Sequence, residues 1–140
     1  MEKGIYTLVL RTKEERMIYV GSLGPVIFAG GYYAYTGSAR GPAGLKRLER
    51  HIRIMNGQNT TRKWHIDYLL PLANLQESII TFTDRNLECF IAGQIGAQLA
   101  SIRNFGSTDC CCSSHLHYSI DLDEISCIVR QAHRECTRIL

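Results

Sequence analysis

Runs of bulky and β-branched residues alternate with polar or glycine-containing segments over the first part of the chain. Three such runs fit strands: residues 4–10, 17–20 and 26–29. The polar run between the first two predicts that they form a hairpin. A glycine pair then leads into a tyrosine-rich strand from Tyr32 to Tyr35, so this part of the chain is predicted to form a sheet.

Glycine and proline break the tyrosine strand, and apolar residues then recur every three or four positions. This spacing predicts a helix from Pro42 to about Asn56. Its apolar stripe consists of Leu45, Leu48, Ile52 and Met55. Arg47 and His51 lie four residues apart on a line that borders this stripe, so both are expected where the helix meets a cleft. Three other basic residues are expected to face solvent: Lys46, Arg50 and Arg53.

The pattern is less regular in the second half of the chain. The stretch 64–70 fits a short helix or a strand equally well. Residues 78–83 predict a strand, after which Asp84 can cap a helix from Arg85 to about Ile102. Asp121 and Glu124 form a capping box that predicts a last helix.

Glu88 does not fit the apolar stripe of the predicted 85–102 helix. That stripe consists of Leu87, Ile91, Ile95, Leu99 and Ile102, and Glu88 projects within it. A carboxylate on a buried face is rare unless it is paired or binds a cation. The alternative is a first-turn glutamate that reaches solvent and interacts with the helix dipole.

Positive charge is concentrated in one window of an otherwise mildly charged chain. The net charge is +3, yet residues 40–63 contain seven Lys or Arg and one acidic residue, which gives +6 there and −3 elsewhere. Such a window beside a cleft is typical of a surface that binds nucleic acid. The candidate contacts are Arg40, Lys46, Arg50, Arg53 and Lys63. A solvated helix face is the other interpretation.

Six cysteines, three of them consecutive, favour reduced thiols or metal ligation over a disulfide framework. Cys110, Cys112 and His115 have a compact spacing that can hold zinc. Further ligands would come from His117, His65 or Cys89. A tight loop of small buried thiols is the alternative.

The length of 140 residues predicts a single domain, 1–140, that can bury a core. No apolar run is long enough to cross a bilayer, and the N-terminus lacks a signal-peptide pattern. A cytoplasmic protein with no membrane partner is therefore expected.

The sequence resembles the GIY-YIG nuclease superfamily in several motifs that occur in the same order. Gly4-Ile5-Tyr6 matches the first signature, and Tyr35-Thr36-Gly37 matches the second with threonine in the middle position. Arg47 with His51 matches the helical motif, and Glu88 follows. Two later stretches, 64–70 and 105–116, are similar to a small prokaryotic branch that is sometimes fused to a base-excision DNA glycosylase. The segment between the two signatures is longer than is usual in the superfamily.

This resemblance implies an α+β fold in which a small, mostly antiparallel sheet is flanked by helices. It also implies a metal-dependent endonuclease of DNA repair. Tyr6 would activate water with Tyr35 alongside, Arg47 would neutralise the phosphate, and His51 would assist proton transfer. Glu88 would hold one magnesium or manganese ion.

Two other functions fit the sequence. A non-catalytic nucleic-acid-binding module could use the same basic window and dock on a repair enzyme, although binding alone does not require Glu88. The Cys and His loop could instead be the working part, as a structural metal knuckle or a redox-sensitive switch. The tyrosines would then only fill the face of the sheet.

Overall fold

The structure is a computed structural model that describes residues 2–107 and 112–140. Its strands are β1 (Gly4–Thr12), β2 (Arg16–Tyr19), β3 (Pro25–Phe28), β4 (Gly31–Ala39), β5 (Ala73–Phe82), β6 (Ala100–Ser101) and β7 (Leu116–Ser119). Its helices are α1 (Lys46–Met55), α2 (Ile66–Leu69), α3 (Glu88–Gly96) and α4 (Leu122–Arg138). Short 3-10 turns cover Gly21–Leu23 and Leu70–Leu72.

Within the described residues, five strands form one antiparallel sheet in the order β5-β1-β4-β7-β6. Strand β1, which lies between β5 and β4, is buried on both faces because alternate side chains enter two different cores. Tyr6, Leu8 and Leu10 pack on the side of α1 and α2. Ile5 and Val9 pack against α3 and α4. The predicted α+β class, a small sheet flanked by helices, is confirmed.

The predicted hairpin between the first two strands is wrong. β1 pairs with β4 and β5 instead, while β2 and β3 pair with each other in a separate two-stranded sheet. β1 is apolar on both faces, so it pairs on both edges inside the larger sheet. β2, by contrast, is mostly exposed. The prediction that Tyr6 and Tyr35 lie on neighbouring strands holds, because β1 and β4 are adjacent.

Helix α1 is shorter than the predicted 42–56 segment, because turns occupy the residues before Lys46. Gly44 adopts a left-handed backbone there, with φ of +55°. The predicted apolar stripe is also partly wrong. Ile52 is exposed, whereas His51 and Ile54 are buried. The buried face of α1 therefore includes His51, whose side chain packs against the sheet and contacts Tyr6.

Helix α3 covers only Glu88–Gly96 of the predicted 85–102 segment, and no side chain caps its start, so Asp84 is not its cap. The chain leaves the helix because Ala100 and Ser101 pair with β7 at the edge of the sheet. Strand β5 is longer than predicted, since it pairs with β1 from Ala73 to Phe82. The stretch 64–70 contains the short helix α2.

The N-terminus of α4 confirms the cap predicted at Asp121, whose carboxylate accepts from the backbone N–H groups of Asp123 and Glu124. The reciprocal half of the capping box differs. Glu124 accepts from the Ser119 hydroxyl, and Ser119 Oγ accepts from the backbone N–H of Asp121.

Candidate functional site

One cavity of about 450 Å³ collects the side chains that the sequence predicted to act together. Five candidate residues from four elements line it: Tyr6 (β1), Tyr35 (β4), Arg47 and His51 (α1) and Glu88 (α3). The loop before β7 closes another side with Gly106 and His115. Because these groups are far apart in the chain, the cavity exists only in the folded protein.

Tyr6 and His51 make a buried hydrogen bond on the floor of the cavity, with 2.7 Å between Tyr6 Oη and His51 Nε2. Burial lowers the pKa of His51 to about 4. Burial, with smaller contributions from Tyr35 and Glu88, raises the pKa of Tyr6, and the Arg47 guanidinium opposes this rise. Both groups are therefore neutral at pH 7, and the hydroxyl donates to Nε2 when the imidazole proton is on Nδ1.

Tyr35 lies beside this pair, with its ring centroid 6.5 Å from that of Tyr6 and 6.1 Å from that of His51. Burial is the main cause that raises its pKa, so it is a hydrogen-bond donor at neutral pH. The antiparallel register sets Tyr6 opposite Gly37. A side chain at Gly37 would overlap the Tyr6 hydroxyl, so the glycine of the second motif makes room for the tyrosine of the first.

Trp64 supports the cationic side of the cavity. The guanidinium carbons of Arg47 and Arg50 lie 4.5 Å and 4.3 Å from the centre of its ring, distances typical of cation–π contacts. Arg47 also donates to the backbone carbonyl of Ser38 over 2.8 Å. These contacts fix the direction of Arg47 before any ligand arrives. In the sequence, Trp64 was only the first residue of the stretch 64–70, which fitted a helix or a strand equally well.

The prediction that Arg50 faces solvent is wrong. Its guanidinium makes two hydrogen bonds of 2.9 and 2.8 Å to the carboxylate of Asp67, which is fully buried. Asp67 also accepts from the backbone N–H groups of Lys63 and Trp64. Burial raises the pKa of Asp67, but these hydrogen bonds outweigh burial and lower it below its ordinary value. The ion pair ties α1 to α2 behind the cavity.

Glu88 lies in the first turn of α3, not within a buried helix face as its spacing had predicted. Its side chain is 20% exposed and lines the cavity. One carboxylate oxygen, Oε1, is 3.1 Å from His115 Nδ1. Burial raises the pKa of Glu88 to about 7, although Arg47 and Arg40 lower it. The anomaly in the sequence pattern thus pointed to a residue that lines the cavity, although its position in the helix differs from the predicted one.

Cys89, Cys112 and His115 form a cluster that could hold a metal ion, since their ligand atoms lie within 4.8 Å of one another. The sulfurs of Cys89 and Cys112 are at disulfide distance, with 6.0 Å between the Cα atoms. Thiolates are needed for metal binding, so the cluster can hold an ion only when this pair is reduced. Of the ligands predicted from the sequence, Cys112, His115 and Cys89 do come together.

Two other predicted ligands, His65 and His117, lie among the described residues and are not part of this cluster. Cys110 lies outside the described residues. His65 Nδ1 accepts a hydrogen bond from the backbone N–H of Gly106 over 2.9 Å. His117 is buried, and its Nε2 lies where a side chain at Gly96 would be.

The basic residues predicted to contact nucleic acid differ in position. Arg40 and Lys63 line the cavity. Lys46 and Arg53 are exposed on α1. Arg50 is engaged with Asp67, so its charge acts from behind the wall of the cavity.

The chain belongs to the family described as Domain of unknown function DUF123, whose model matches residues 5–138. No curated protein matches the chain, and no solved structure matches it. Among the described residues, every helix is too short or too polar to cross a bilayer.

Proposed function

We propose that this protein is a divalent-metal-dependent phosphodiesterase that cleaves DNA. The observation that carries the proposal is the convergence of Tyr6, His51, Arg47 and Glu88 on one cavity. Phosphodiester hydrolysis needs a proton acceptor for water, positive charge for the phosphorane and a cation at the leaving oxygen. These residues have the chemistry for each requirement.

Tyr6 and His51 would activate the water together. The pKa of Tyr6 is raised, so a stable tyrosinate is not available at neutral pH. Tyr6 Oη can instead take a proton from water while passing its own proton to His51 Nε2, 2.7 Å away. The imidazole is neutral at pH 7, so Nε2 has a lone pair that can accept this proton, and Tyr35 would hydrogen-bond alongside.

Arg47 would bind the scissile phosphate. Arg47 donates a hydrogen bond to the Ser38 carbonyl and lies against the Trp64 ring. These contacts hold the guanidinium in place before the substrate binds, which reduces the entropy lost on binding. Arg40 and Lys63 add positive charge at the same cavity. Lys46 and Arg53 would contact the DNA backbone further along α1, which makes binding salt-dependent.

Glu88 would hold one magnesium or manganese ion. The fit is good because its carboxylate is partly exposed to the cavity, and a single carboxylate with waters and substrate phosphate is a common ligand set for these ions. When bound, such an ion stabilises negative charge on the leaving oxygen. Glu88 must be ionised to serve. Burial raises its pKa to about 7, so the carboxyl group is ionised only in part at pH 7, and Arg47, Arg40 and a bound cation each favour the ionised form.

We further propose zinc as the ion of the Cys89, Cys112 and His115 cluster, because thiolate and imidazole ligands suit zinc and not magnesium. The physiological setting we propose is DNA repair in the cytoplasm, with a DNA glycosylase or another repair protein as partner. A non-catalytic nucleic-acid-binding module is the second candidate, because the basic residues at the cavity would support binding without cleavage.

The proposal is tested with flapped, branched and damaged DNA in the presence of magnesium or manganese. Glu88→Gln should reduce cleavage at least about a hundredfold, because a bound cation contributes several kcal/mol to the transition state. DNA affinity should be unchanged, because the basic residues are intact. The melting temperature should also be kept, because the amide oxygen can still accept from His115 Nδ1.

Glu49→Gln, a change on the exposed face of α1, is the matched control and should cleave as the wild type does. Equal cleavage by wild type and Glu88→Gln would remove Glu88 from the reaction. Tight DNA binding by a wild type that cleaves none of these substrates would favour the binding module.

A further inference from the structure

The two ring nitrogens of His115 point at two different sites. Nδ1 is 3.1 Å from Glu88 Oε1, and Nε2 is 3.9 Å from Cys89 Sγ. The imidazole is buried, with only 2% of its surface exposed. His115 therefore stands between the carboxylate of the proposed catalytic cavity and the thiols of the cysteine cluster.

This arrangement is the one that metal-binding histidines usually have. A histidine that ligates a metal through one nitrogen commonly donates its other N–H to a carboxylate, which fixes the tautomer and the ring orientation. Here Nε2 faces the cluster and Nδ1 faces Glu88. Glu88 and Cys89 are consecutive residues in the first turn of α3, so one short segment supplies both the ligand and the carboxylate.

We propose that Glu88 is shared between two metal sites: it orients His115 for a zinc ion held by Cys89, Cys112 and His115, and it ligates the divalent cation of the cavity. The first role uses Oε1, and a carboxylate has a second oxygen for the other role. The second role rests on the proposed function, whereas the first does not.

The redox state of Cys89 and Cys112 would then control how strongly zinc binding favours cation binding in the cavity. Two thiolates neutralise the charge of zinc, so a loaded cluster does not repel a second cation nearby. Zinc would hold His115, and His115 would hold Glu88, so the cation of the cavity would bind to a carboxylate already in place. A small-molecule disulfide would reverse this by thiol–disulfide exchange. Cys89 and Cys112 would be oxidised to the cystine, the reagent would be reduced to two thiols, and zinc would be released.

The orienting role is tested by zinc affinity, measured by competition with a chromophoric chelator on the reduced full-length protein. Glu88→Ala should weaken zinc binding about 10- to 100-fold, the usual effect of losing such a partner. Glu88→Gln keeps an acceptor for Nδ1 and should fall between Glu88→Ala and the wild type. Glu49→Ala and Cys127→Ser, both on exposed residues, should bind as the wild type does. A wild type without zinc affinity, or a Glu88→Ala protein with wild-type affinity, would overturn the proposal.

The sharing is tested by manganese binding, followed by electron paramagnetic resonance of free manganese. Zinc-loaded protein should bind manganese at least about fivefold more tightly than zinc-free reduced protein, the lower end of typical coupling between sites. Treatment with oxidised glutathione should remove this gain and release zinc, and Cys112→Ser should lack the gain from the start.

Failure here is distinguishable from failure of the proposed function. Equal manganese affinity with and without zinc, in a protein that cleaves DNA through Glu88, would overturn the sharing and leave the nuclease intact. The opposite result is also possible. If Glu88→Ala loses zinc affinity as expected, but the wild type neither binds manganese nor cleaves DNA, the orienting role is sustained and the catalytic cation is refuted.

Discussion

Tyr6 and His51 illustrate how two ordinary side chains acquire unusual protonation behaviour. Each is almost completely buried, and each pKa moves in the direction that favours the neutral form. The hydrogen bond between them is short enough for proton transfer. Neither residue alone is a good base at neutral pH, so the pair is the chemical unit at the residue scale.

Removal of the Tyr6 hydroxyl tests this pair. Tyr6→Phe should lower DNA cleavage by about 10²- to 10⁴-fold, the usual contribution of a positioned acid or base, and leave DNA affinity unchanged. Gel-based cleavage and fluorescence anisotropy would measure the two effects. Tyr33→Phe is the matched control, since Tyr33 is equally buried but donates to the Ala29 carbonyl outside the cavity. Cleavage by Tyr6→Phe at the wild-type rate would contradict the relay.

At the scale of elements, the pairing of β1 with β4 determines where the tyrosines meet. The register places Tyr6 opposite Gly37, and the missing side chain there is filled by the Tyr6 ring. Helix α1 then closes the site on the face of the sheet that carries the Tyr6 side chain, with His51 reaching Tyr6. A glycine in the interior of a strand is costly unless something else uses the space, and here Tyr6 does.

Gly37→Ala should therefore displace the Tyr6 ring. We expect a loss of about 1–3 kcal/mol in the free energy of unfolding, the usual cost of overpacking, and a fall in cleavage comparable to that of Tyr6→Phe. Gly41→Ala should change neither, because a methyl group there meets nothing within 4 Å. Urea denaturation and the cleavage assay would show this. A stable and active Gly37→Ala protein would mean that Tyr6 can act from another position.

At the scale of the whole molecule, His133 joins the last helix to the sheet. Its Nε2 is 2.8 Å from Thr7 Oγ1 on β1, and its Nδ1 is 2.8 Å from Thr81 Oγ1 on β5. Both ring nitrogens of the neutral, buried imidazole are thus hydrogen-bonded to threonine hydroxyls. Burial lowers the pKa of His133 to about 4.

This shift makes stability depend on pH in a defined direction. The folded pKa lies below the unfolded value of about 6.5, so the contribution of His133 is fully present above pH 6.5 and is lost as the pH falls toward 4. The expected slope is about 1.4 kcal/mol per pH unit. Urea denaturation at pH 7 and pH 5 should show that wild type loses about 2 kcal/mol more than His133→Asn. Subtracting the two proteins cancels the histidines they share, and equal losses would contradict a neutral buried His133.

Much of this organisation was predicted from local patterns. The bulky and β-branched run of β1, the aromatic strand β4 and the helical spacing of α1 each reflect surfaces that must be buried, so their positions could be inferred without knowing the partners. The cap at Asp121 is also local chemistry, and it was predicted correctly. Motifs read in chain order also singled out Tyr6, Tyr35, Arg47, His51 and Glu88, five of the residues that line the cavity.

Tertiary structure alone decided how these residues meet. Strand partners depend on contacts between segments far apart in the chain, so β2 paired with β3 and not with β1, and the edge of the sheet ended α3 before Ile102. The same holds for charge. The sequence shows that Arg50 is positively charged, but only the fold shows that it pairs with the buried carboxylate of Asp67. Packing between distant segments also buries His51, places Glu88 in the first turn of α3 and brings it to His115. Local sequence patterns do not reveal such contacts, because each depends on residues far apart in the chain.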